Sequence, residues 1–233
     1  MSKKVLVTGG AGFIGHLAIK EILASTDWEV LTFDRLSYAG DLRRIDYVTE
    51  ELGGSSKQRL KFIYHDLKAP LHEDLIKEII DVSYIIHIGA SSHVTRSVEN
   101  PYVFIQDNIM GSFNLLEAAR KLNNLELFYY FSTDEVFGPS LSDEKFKEWD
   151  RYNSKNPYSA TKAAAEELTI SYSNTYSLPV LISHCSNVYG ERQHYEKYIP
   201  NTINKILSNE EITIHTDSKN IPGSRYYLYN DDL

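Results

Sequence analysis

Six short runs of apolar, β-branched and aromatic residues recur along the chain: KVLVT (4–8), EVLTFD (29–34), LKFIY (60–64), SYIIHI (83–88), ELFYYFS (126–132) and VLISHC (180–185). Runs of this length and composition predict strands. From the second to the sixth they are nearly continuous in apolar character, the pattern of strands covered on both faces of a parallel sheet. Segments of helical length separate them, near 13–25, 40–52, 72–81, 101–123 and 157–177, with a further one near 197–209. Strand–helix alternation sustained this long predicts an α/β fold with a doubly wound parallel sheet. GGSSKQ (53–58) and the polar stretch 140–156 read as surface loops, and no internal repeat or low-complexity tract interrupts the pattern.

Composition narrows the function classes. With 233 residues and 42% hydrophobic content, the chain can bury a sizeable core as one large domain or one and a half. A net charge of -8 with no basic stripe argues against a nucleic-acid partner. The single cysteine, Cys185, forms no internal disulfide and supplies no zinc cluster, which suits a reducing compartment. MSKKVLVTGG turns to glycine after a short apolar run, so neither a signal peptide nor a membrane span is read there. The expectation is a soluble, cytoplasmic protein. His65, His72, His87 and His93 lack ligand spacing, and no metal is expected.

The first strand runs directly into T8-G9-G10-A11-G12-F13-I14-G15. Glycines Gly9, Gly12 and Gly15 permit a tight turn, backbone approach to a pyrophosphate, and close packing of helix on strand. The following helix N-terminus offers N–H groups and a positive dipole end to the anion. Asp34 ends the second strand 19 residues past Gly15, where a carboxylate can bind a ribose 2′-hydroxyl. That favours NAD over NADP, although the neighbouring Arg35 is suited to receiving a 2′-phosphate.

Two further motifs carry chemistry. Y158-S159-A160-T161-K162 follows Asn156-Pro157 and opens a helix, so Tyr158 and Lys162 share a face four residues apart. Lys162 beside Tyr158 is expected to favour the phenolate and bring it into range as a base. In FSTDEVFGP (131–139) an apolar strand ends in Thr133, Asp134 and Glu135. Adjacent carboxylates resist burial, so this is either a solvated strand end or a site needing one acid and one base.

TGGAGFIG, YSATK and the strand order resemble the extended short-chain dehydrogenase/reductases that act on nucleotide sugars, and within them the dTDP-glucose 4,6-dehydratases. FDRLSYAGDL (33–42), SSHVTRSVENP (91–101), NIMGSFNLLEAAR (108–120), FSTDEVFG (131–138) and CSNVYG (185–190) carry the resemblance. YEKYIP (195–200) and SRYYLY (224–229) continue it, so it spans almost the whole chain in order.

The resemblance implies a Rossmann-type NAD-binding domain over 1–185 with the catalytic Tyr158 and Lys162, and the start of a nucleotide-sugar-binding lobe over 186–233. It also answers the question of the paired carboxylates. Oxidation of the sugar at C4 acidifies the C5 proton. Glu135 then removes that proton while a protonated Asp134 releases the C6 hydroxyl as water, and hydride returns to C6. Like-charge proximity and partial desolvation split two carboxyl pKa values into one acid and one base. Thr133 is implied to hydrogen-bond the C4 hydroxyl that Tyr158 deprotonates. Related epimerases usually carry small hydroxyl and apolar residues at this tripeptide, and GDP-mannose dehydratases and UDP-glucuronate decarboxylases carry Thr-Ser-Glu. The alternatives are therefore a neighbouring epimerase or decarboxylase, or a non-catalytic NAD-binding protein.

By the same resemblance Phe13 and Ile14 lie at the pyrophosphate, Asp34, Arg35, Leu36 and Ser37 surround the adenosine ribose, and Asp66 and Leu67 contact adenine. Gly89, Ala90 and Ser91 line the nicotinamide half, with Tyr158 and Lys162 over its ribose. Ser92, Thr133, Asn187, Lys197 and Arg225 match the contacts to sugar and diphosphate, and His93 supports the site. The helices at 101–123 and 157–177 imply a homodimer built on a four-helix bundle. Ser91 and Thr95 stand where Glu and Asp are usual, Val188 replaces an Asn, and Tyr226 replaces an Asp after Arg225. SKNIPGS is longer than the pattern and the loop 139–156 shorter. The family continues past YLYNDDL into another helix, so the chain is expected to be a fragment with an incomplete C-terminal lobe.

Overall fold

The computed structural model describes residues 2–140, 145–214, 216 and 218–233. The chain divides into two compact units, Met1–Cys185 and Ser186–Leu233. In the first, strands β1 (Lys4–Thr8), β2 (Glu29–Asp34), β3 (Leu60–Tyr64), β4 (Tyr84–His87), β5 (Leu127–Thr133) and β6 (Val180–Cys185) form one sheet in the order β3-β2-β1-β4-β5-β6. Every pairing is parallel. The order reverses between β1 and β4, which opens a crevice beyond their carboxyl ends.

Helices cover the sheet: α1 (Phe13–Ser25), α2 (Leu42–Leu52), α3 (Gly54–Arg59), α4 (Glu73–Ile79), α5 (Val94–Glu99), α6 (Pro101–Phe104), α7 (Gly111–Ala119) and α8 (Pro157–Tyr176). Two apolar clusters result. One gathers Val5, Val7, Ile19, Leu23 and Val30 beneath α1 and α2. The larger gathers Leu6, Ile85, Leu115, Leu116, Phe128 and Tyr130, with α7 and α8 against the sheet. Adjacent residues of β1 thus enter opposite clusters, which explains why this strand reads as one apolar run.

Three local readings need correction. GGSSKQ does not form a simple loop: α3 occupies most of it, with Ser56 buried and donating to the Gly53 carbonyl at 2.6 Å. The helix expected over 101–123 is interrupted by a π-helical turn, Ile105–Met110, and α7 ends at Ala119. The turn is not visible to a period-3.6 pattern, because the extra residue is accommodated by tertiary contacts. α5 (Val94–Glu99) was not expected from the sequence; His93 caps it, accepting from the Arg96 N–H at 3.4 Å. Of the loop expected over 140–156, residues 141–144 lie outside the described residues.

The second unit contains α9 (Tyr198–Leu207), a short 3-10 turn Asn230–Asp232, and two parallel strands, β7 (Asn187–Tyr189) and β8 (Tyr227–Tyr229). At Gly190, φ is +151° and an added Cβ would lie 2.1 Å from Asn230 Oδ1, so only glycine fits against that turn. No described helix is long and apolar enough to cross a membrane.

Inside the sheet, His87 is 1% exposed and fully partnered. The Gly89 N–H donates to Thr8 Oγ1, whose proton goes to His87 Nδ1 at 2.7 Å. The ring's Nε2–H then donates to Ser112 Oγ at 2.9 Å, and Ser112 donates to the Asn108 carbonyl. With the Thr8 hydroxyl donating, Nδ1 carries no proton and the imidazole is neutral. Burial, and secondarily the charge of Lys162, lower its pKa to about 3.

Two stability outcomes follow from this packing. Phe128 is fully buried, and Phe128→Ala is expected to lower unfolding free energy by about 3–5 kcal/mol in chemical denaturation. For His87, the unfolded chain binds more protons between pH 6.5 and pH 3, so its contribution is complete above 6.5 and is lost on acidification toward 3. Acidification from pH 7 to 4.5 is expected to cost on the order of 2 kcal/mol through this group alone. Denaturation of His87→Gln at both pH values should give a flatter profile; an equal acid loss in the variant would remove His87 as the cause.

Candidate active site

The glycine loop sits at the sheet's switch point. Gly9 has φ +73°, and a Cβ there would lie 2.8 Å from Gly89 Cα, so the ends of β1 and β4 meet backbone to backbone. A Cβ on Gly15 would lie 2.1 Å from the Gly9 carbonyl, which seats the first turn of α1 directly on the loop. Gly12 caps α1 without any side-chain hydrogen bond. Phe13 and Ile14 follow as the first two helical residues, both half-buried. The first-turn N–H groups therefore face the crevice side of the loop uncapped by any side chain.

Asp34, at the carboxyl end of β2, is held by this loop. Its Oδ2 accepts from the Ala11 N–H at 3.0 Å and its Oδ1 from the Leu36 N–H at 2.7 Å. Burial raises its pKa, and these two backbone donors partly offset the rise. Leu36 has φ +54°, an uncommon conformation for a bulky residue, stabilised by the Asp34 bond. Ser37 closes the turn, its carbonyl accepting from Gly40. The Arg35 guanidinium forms a two-pronged pair with Asp107 at 2.7 and 2.5 Å. Asp66 stands on its other side at 3.4 Å. Asp66 also accepts from the Lys68 N–H, and Asn114 of α7 donates to the carbonyls of Leu67 and Lys68, fixing that turn.

Past β4, Gly89 is pinned to Thr8, Ala90 is exposed, and Ser91 is held by consecutive residues of the π turn. Asn108 pairs with both backbone groups of Ser91, at 2.8 and 3.0 Å, while the Ser91 hydroxyl donates to Asp107 at 2.5 Å. Asn108 also donates to Thr161 of α8 at 2.9 Å, tying the strand end to the helix that carries Tyr158 and Lys162. Ser92 is exposed.

Thr133, Asp134 and Glu135 come together at the end of β5. The Thr133 hydroxyl donates to Asp134 at 3.3 Å and accepts from the Glu135 N–H at 3.3 Å, capping the 3-10 turn Asp134–Phe137. Glu135 accepts from Asn156 Nδ2 at 3.1 Å. Asn156 is the N-cap of α8, accepting from the Ser159 N–H at 2.8 Å in a capping box. One amide therefore both starts the helix and holds the carboxylate. Gly138, at φ +80°, turns the chain back so that Asn153 donates to the Val136 carbonyl.

Tyr158 is half-buried beside this knot. Burial and then the negative charge of Glu135 raise its pKa above 10, and its hydrogen bond to Thr133 lowers it only in part. The sequence expectation had been the opposite. The reason is where Lys162 goes: its Nζ donates to the Phe131 carbonyl at 2.7 Å and lies 4.2 Å over the Tyr130 ring. Lys162 is 4% exposed, and burial, opposed by the Glu166 carboxylate, lowers its pKa to about 7.

One turn beyond, Glu166 is buried and anchors three elements. It accepts from Ser132 at 2.6 Å, from Tyr152 at 2.5 Å, and bonds His184 Nε2 at 2.7 Å. Glu166, Asn108, Asp107, Asn114 and Asn156 were not singled out from the sequence. Buried polar side chains next to glycine and YxxxK motifs are the signal that could have found them, but which partner each takes depends on the fold.

The remaining sequence-derived residues belong to the second unit. Asn187 opens β7 opposite Tyr227, half-buried Lys197 is the N-cap of α9, and exposed Arg225 precedes β8, its charge acting on Tyr227.

Comparison with known proteins bears on this arrangement. The family model described as GDP-mannose 4,6 dehydratase matches residues 6–233. A dTDP-D-glucose 4,6-dehydratase of Dictyostelium discoideum is 38% identical, over 99% of this chain and 54% of its own length. The crystal structure of DesIV, a dTDP-glucose 4,6-dehydratase from Streptomyces venezuelae with NAD and TYD bound, superposes with a TM-score of 0.87 at 33% identity. It matches 98% of this chain and 68% of that one. A UDP-glucuronic acid 4-epimerase from Bacillus cereus, in complex with UDP-glucuronic acid and NAD, gives 0.84 at 28% identity, over 98% of this chain and 69% of its own. The chain spans about half to two thirds of the length of the curated dTDP-glucose 4,6-dehydratases it matches.

Proposed function

The chain belongs to the GDP-mannose 4,6-dehydratase family, among the extended short-chain dehydrogenase/reductases, and from that membership we propose that it is an NAD-dependent nucleotide-sugar 4,6-dehydratase. Its substrate is dTDP-glucose or UDP-glucose and its product the 4-keto-6-deoxy sugar. The observation that carries this reading is the pair Asp134–Glu135 at the end of β5, with Glu135 held by the cap of the Tyr158 helix. Epimerases share the fold, and reversible C4 oxidation alone has no use for a second and third proton-transfer group there.

The residues present fit a dinucleotide. An uncapped helix N-terminus suits a pyrophosphate, and Asp34, oriented by Ala11, keeps lone pairs for ribose hydroxyls. In this reading residues 1–185 are the NAD-binding domain. Gly9, Gly12, Phe13, Ile14 and Gly15 hold the pyrophosphate, Asp34 to Ser37 the adenosine ribose, and Asp66 and Leu67 the adenine. Gly89, Ala90 and Ser91 line the nicotinamide side, with Tyr158 and Lys162 at its ribose. When bound, NAD supplies a two-electron hydride acceptor and, oxidised, a positive ring charge.

The chain's own groups move the protons. Tyr158, hydrogen-bonded to Thr133, acts as the phenolate and takes the proton of the C4 hydroxyl as hydride leaves C4 and the ketone forms; burial raises its pKa, so the phenolate needs a positive charge beside it. Glu135 then removes the acidified C5 proton while Asp134 delivers a proton to the departing C6 hydroxyl, releasing water; return of the hydride to C6 and of the proton from Glu135 to C5 completes the 4-keto-6-deoxy sugar. Lys162, with a pKa of about 7, adjusts the charge next to that exchange. Ser92 and Thr133 contact the sugar. Asn187, Lys197 and Arg225, in the unit read as the nucleotide-sugar lobe (186–233), contact sugar and diphosphate, where a guanidinium pairs two-pronged with phosphate oxygens.

A homodimer in the cytoplasm completes the reading. Tyr102, Ile105, Met110 and Phe113 expose apolar area along α6, the π turn and α7, and Tyr176 does so at the end of α8, a stripe suited to a matching helix pair. Light scattering is expected to give twice the chain mass, and a monomer at micromolar concentration would count against the stripe as an interface.

The activity test is direct. Protein supplied with NAD is incubated with dTDP-glucose and, separately, UDP-glucose, and the product is weighed and read by its alkaline absorbance. The expected product is one water lighter, and Glu135→Gln is expected to reduce its formation by about 100- to 10,000-fold while leaving NAD binding in place. A product of unchanged mass epimerised at C4 would replace the dehydratase reading with an epimerase. NAD binding with no turnover would favour a non-catalytic binding protein or a requirement for the part of its relatives' length that this chain does not span.

A further inference from the structure

Arg35 occupies the position beside Asp34 from which a guanidinium can receive the 2′-phosphate of NADP. We propose that Asp107 sets the cofactor preference of this site by holding Arg35 away from that phosphate. The inference rests on the dinucleotide-binding reading above and deepens it.

Both prongs of the guanidinium are committed. Nη1 meets Asp107 Oδ1 at 2.7 Å and Nη2 meets Oδ2 at 2.5 Å, while Nη1 also faces Asp66 at 3.4 Å. Such fork-to-fork pairing fixes direction as well as charge. The Asp107 side chain is only 5% exposed, against 25% for Arg35, so the pair is screened little on the acid's side.

Asp107 is itself immobilised. Its Oδ2 accepts from the Ser91 hydroxyl at 2.5 Å, and the next residue, Asn108, clamps the Ser91 backbone and Thr161. Adjacent residues on an α-helix diverge by about 100°. Here Asp107 and Asn108 are both buried, in the π turn Ile105–Met110, and such turns recur at functional sites. The turn brings a carboxylate across from another part of the chain to a position 72 residues distant from Arg35. Asp66 and Asp107 both pair with this guanidinium, and Asp34 lies close enough to feel its charge, so carboxylates already answer the positive charge of Arg35. A ribose 2′-hydroxyl is accepted there, and a phosphate dianion meets repulsion with no free donor fork.

The test is equilibrium binding of NAD and of NADP by isothermal titration, with folding checked by circular dichroism. Wild-type protein is expected to bind NAD more tightly by about a hundredfold, since a phosphate here loses at least one charge-assisted pair. In Asp107→Asn, which keeps the shape, and in Asp107→Ala, the ratio of the two dissociation constants is expected to fall by about tenfold as Arg35 is released. Arg35→Gln alone should leave the ratio near the wild-type value, and Arg35→Gln combined with Asp107→Asn should cancel the fall. An unchanged ratio in both Asp107 variants, or an equal fall in the double variant, overturns the proposal. Wild-type protein that binds neither dinucleotide removes the dinucleotide-binding reading and the proposal with it, whereas NAD binding with an unmoved ratio overturns the proposal alone.

Discussion

The close approach of β1 and β4 is the constraint on which the rest of the first unit depends. Gly9 and Gly89 meet at a separation that leaves no room for a Cβ. That contact places the glycine loop over the sheet's switch point and seats α1 on the loop through Gly15. It also brings Asp34 into reach of the Ala11 N–H. Thr8 and His87 close the same seam from below, the histidine held neutral by burial and bonded through both ring nitrogens within the core. A side chain at Gly9 would push the two strand ends apart, and the crevice would lose its floor.

A second layer of order comes from buried polar side chains that link elements rather than fill space. Asn108 joins the end of β4 to α8, Asn156 joins the start of α8 to Glu135, and Glu166 joins α8 to Ser132, Tyr152 and His184. Each satisfies several donors or acceptors at once, which is the condition under which burial of such groups is tolerable. Their effect converges on the strand end carrying Thr133, Asp134 and Glu135. Catalytic proposals for those three residues therefore rest on a scaffold of three others with no chemistry of their own to perform.

Electrostatics separates two halves of the site. Around Arg35, positive charge is neutralised by carboxylates on both sides. Around Tyr158, the carboxylates are unopposed by the nearest lysine, because Lys162 is drawn to the Phe131 carbonyl and the Tyr130 ring. Burial and Glu135 raise the pKa of the phenol while burial lowers that of the lysine, the reverse of the simple pairing implied by their four-residue spacing.

Much was legible in the chain itself. Apolar runs of five to seven residues separated by helical segments determined the six parallel strands, because strands covered on both faces must be apolar throughout. The glycine spacing, Asp34 and the YxxxK and TDE motifs were visible because backbone approach and proton transfer demand those residue types. What only tertiary structure decided is pairing. Whether Arg35 faces a phosphate or Asp107, whether Lys162 faces Tyr158 or a carbonyl, and which turn of a helix becomes a π turn depend on side chains far apart in sequence. A one-dimensional pattern records which face of an element is buried, but not the partner waiting there, since that partner is supplied by a different element whose register the fold alone sets.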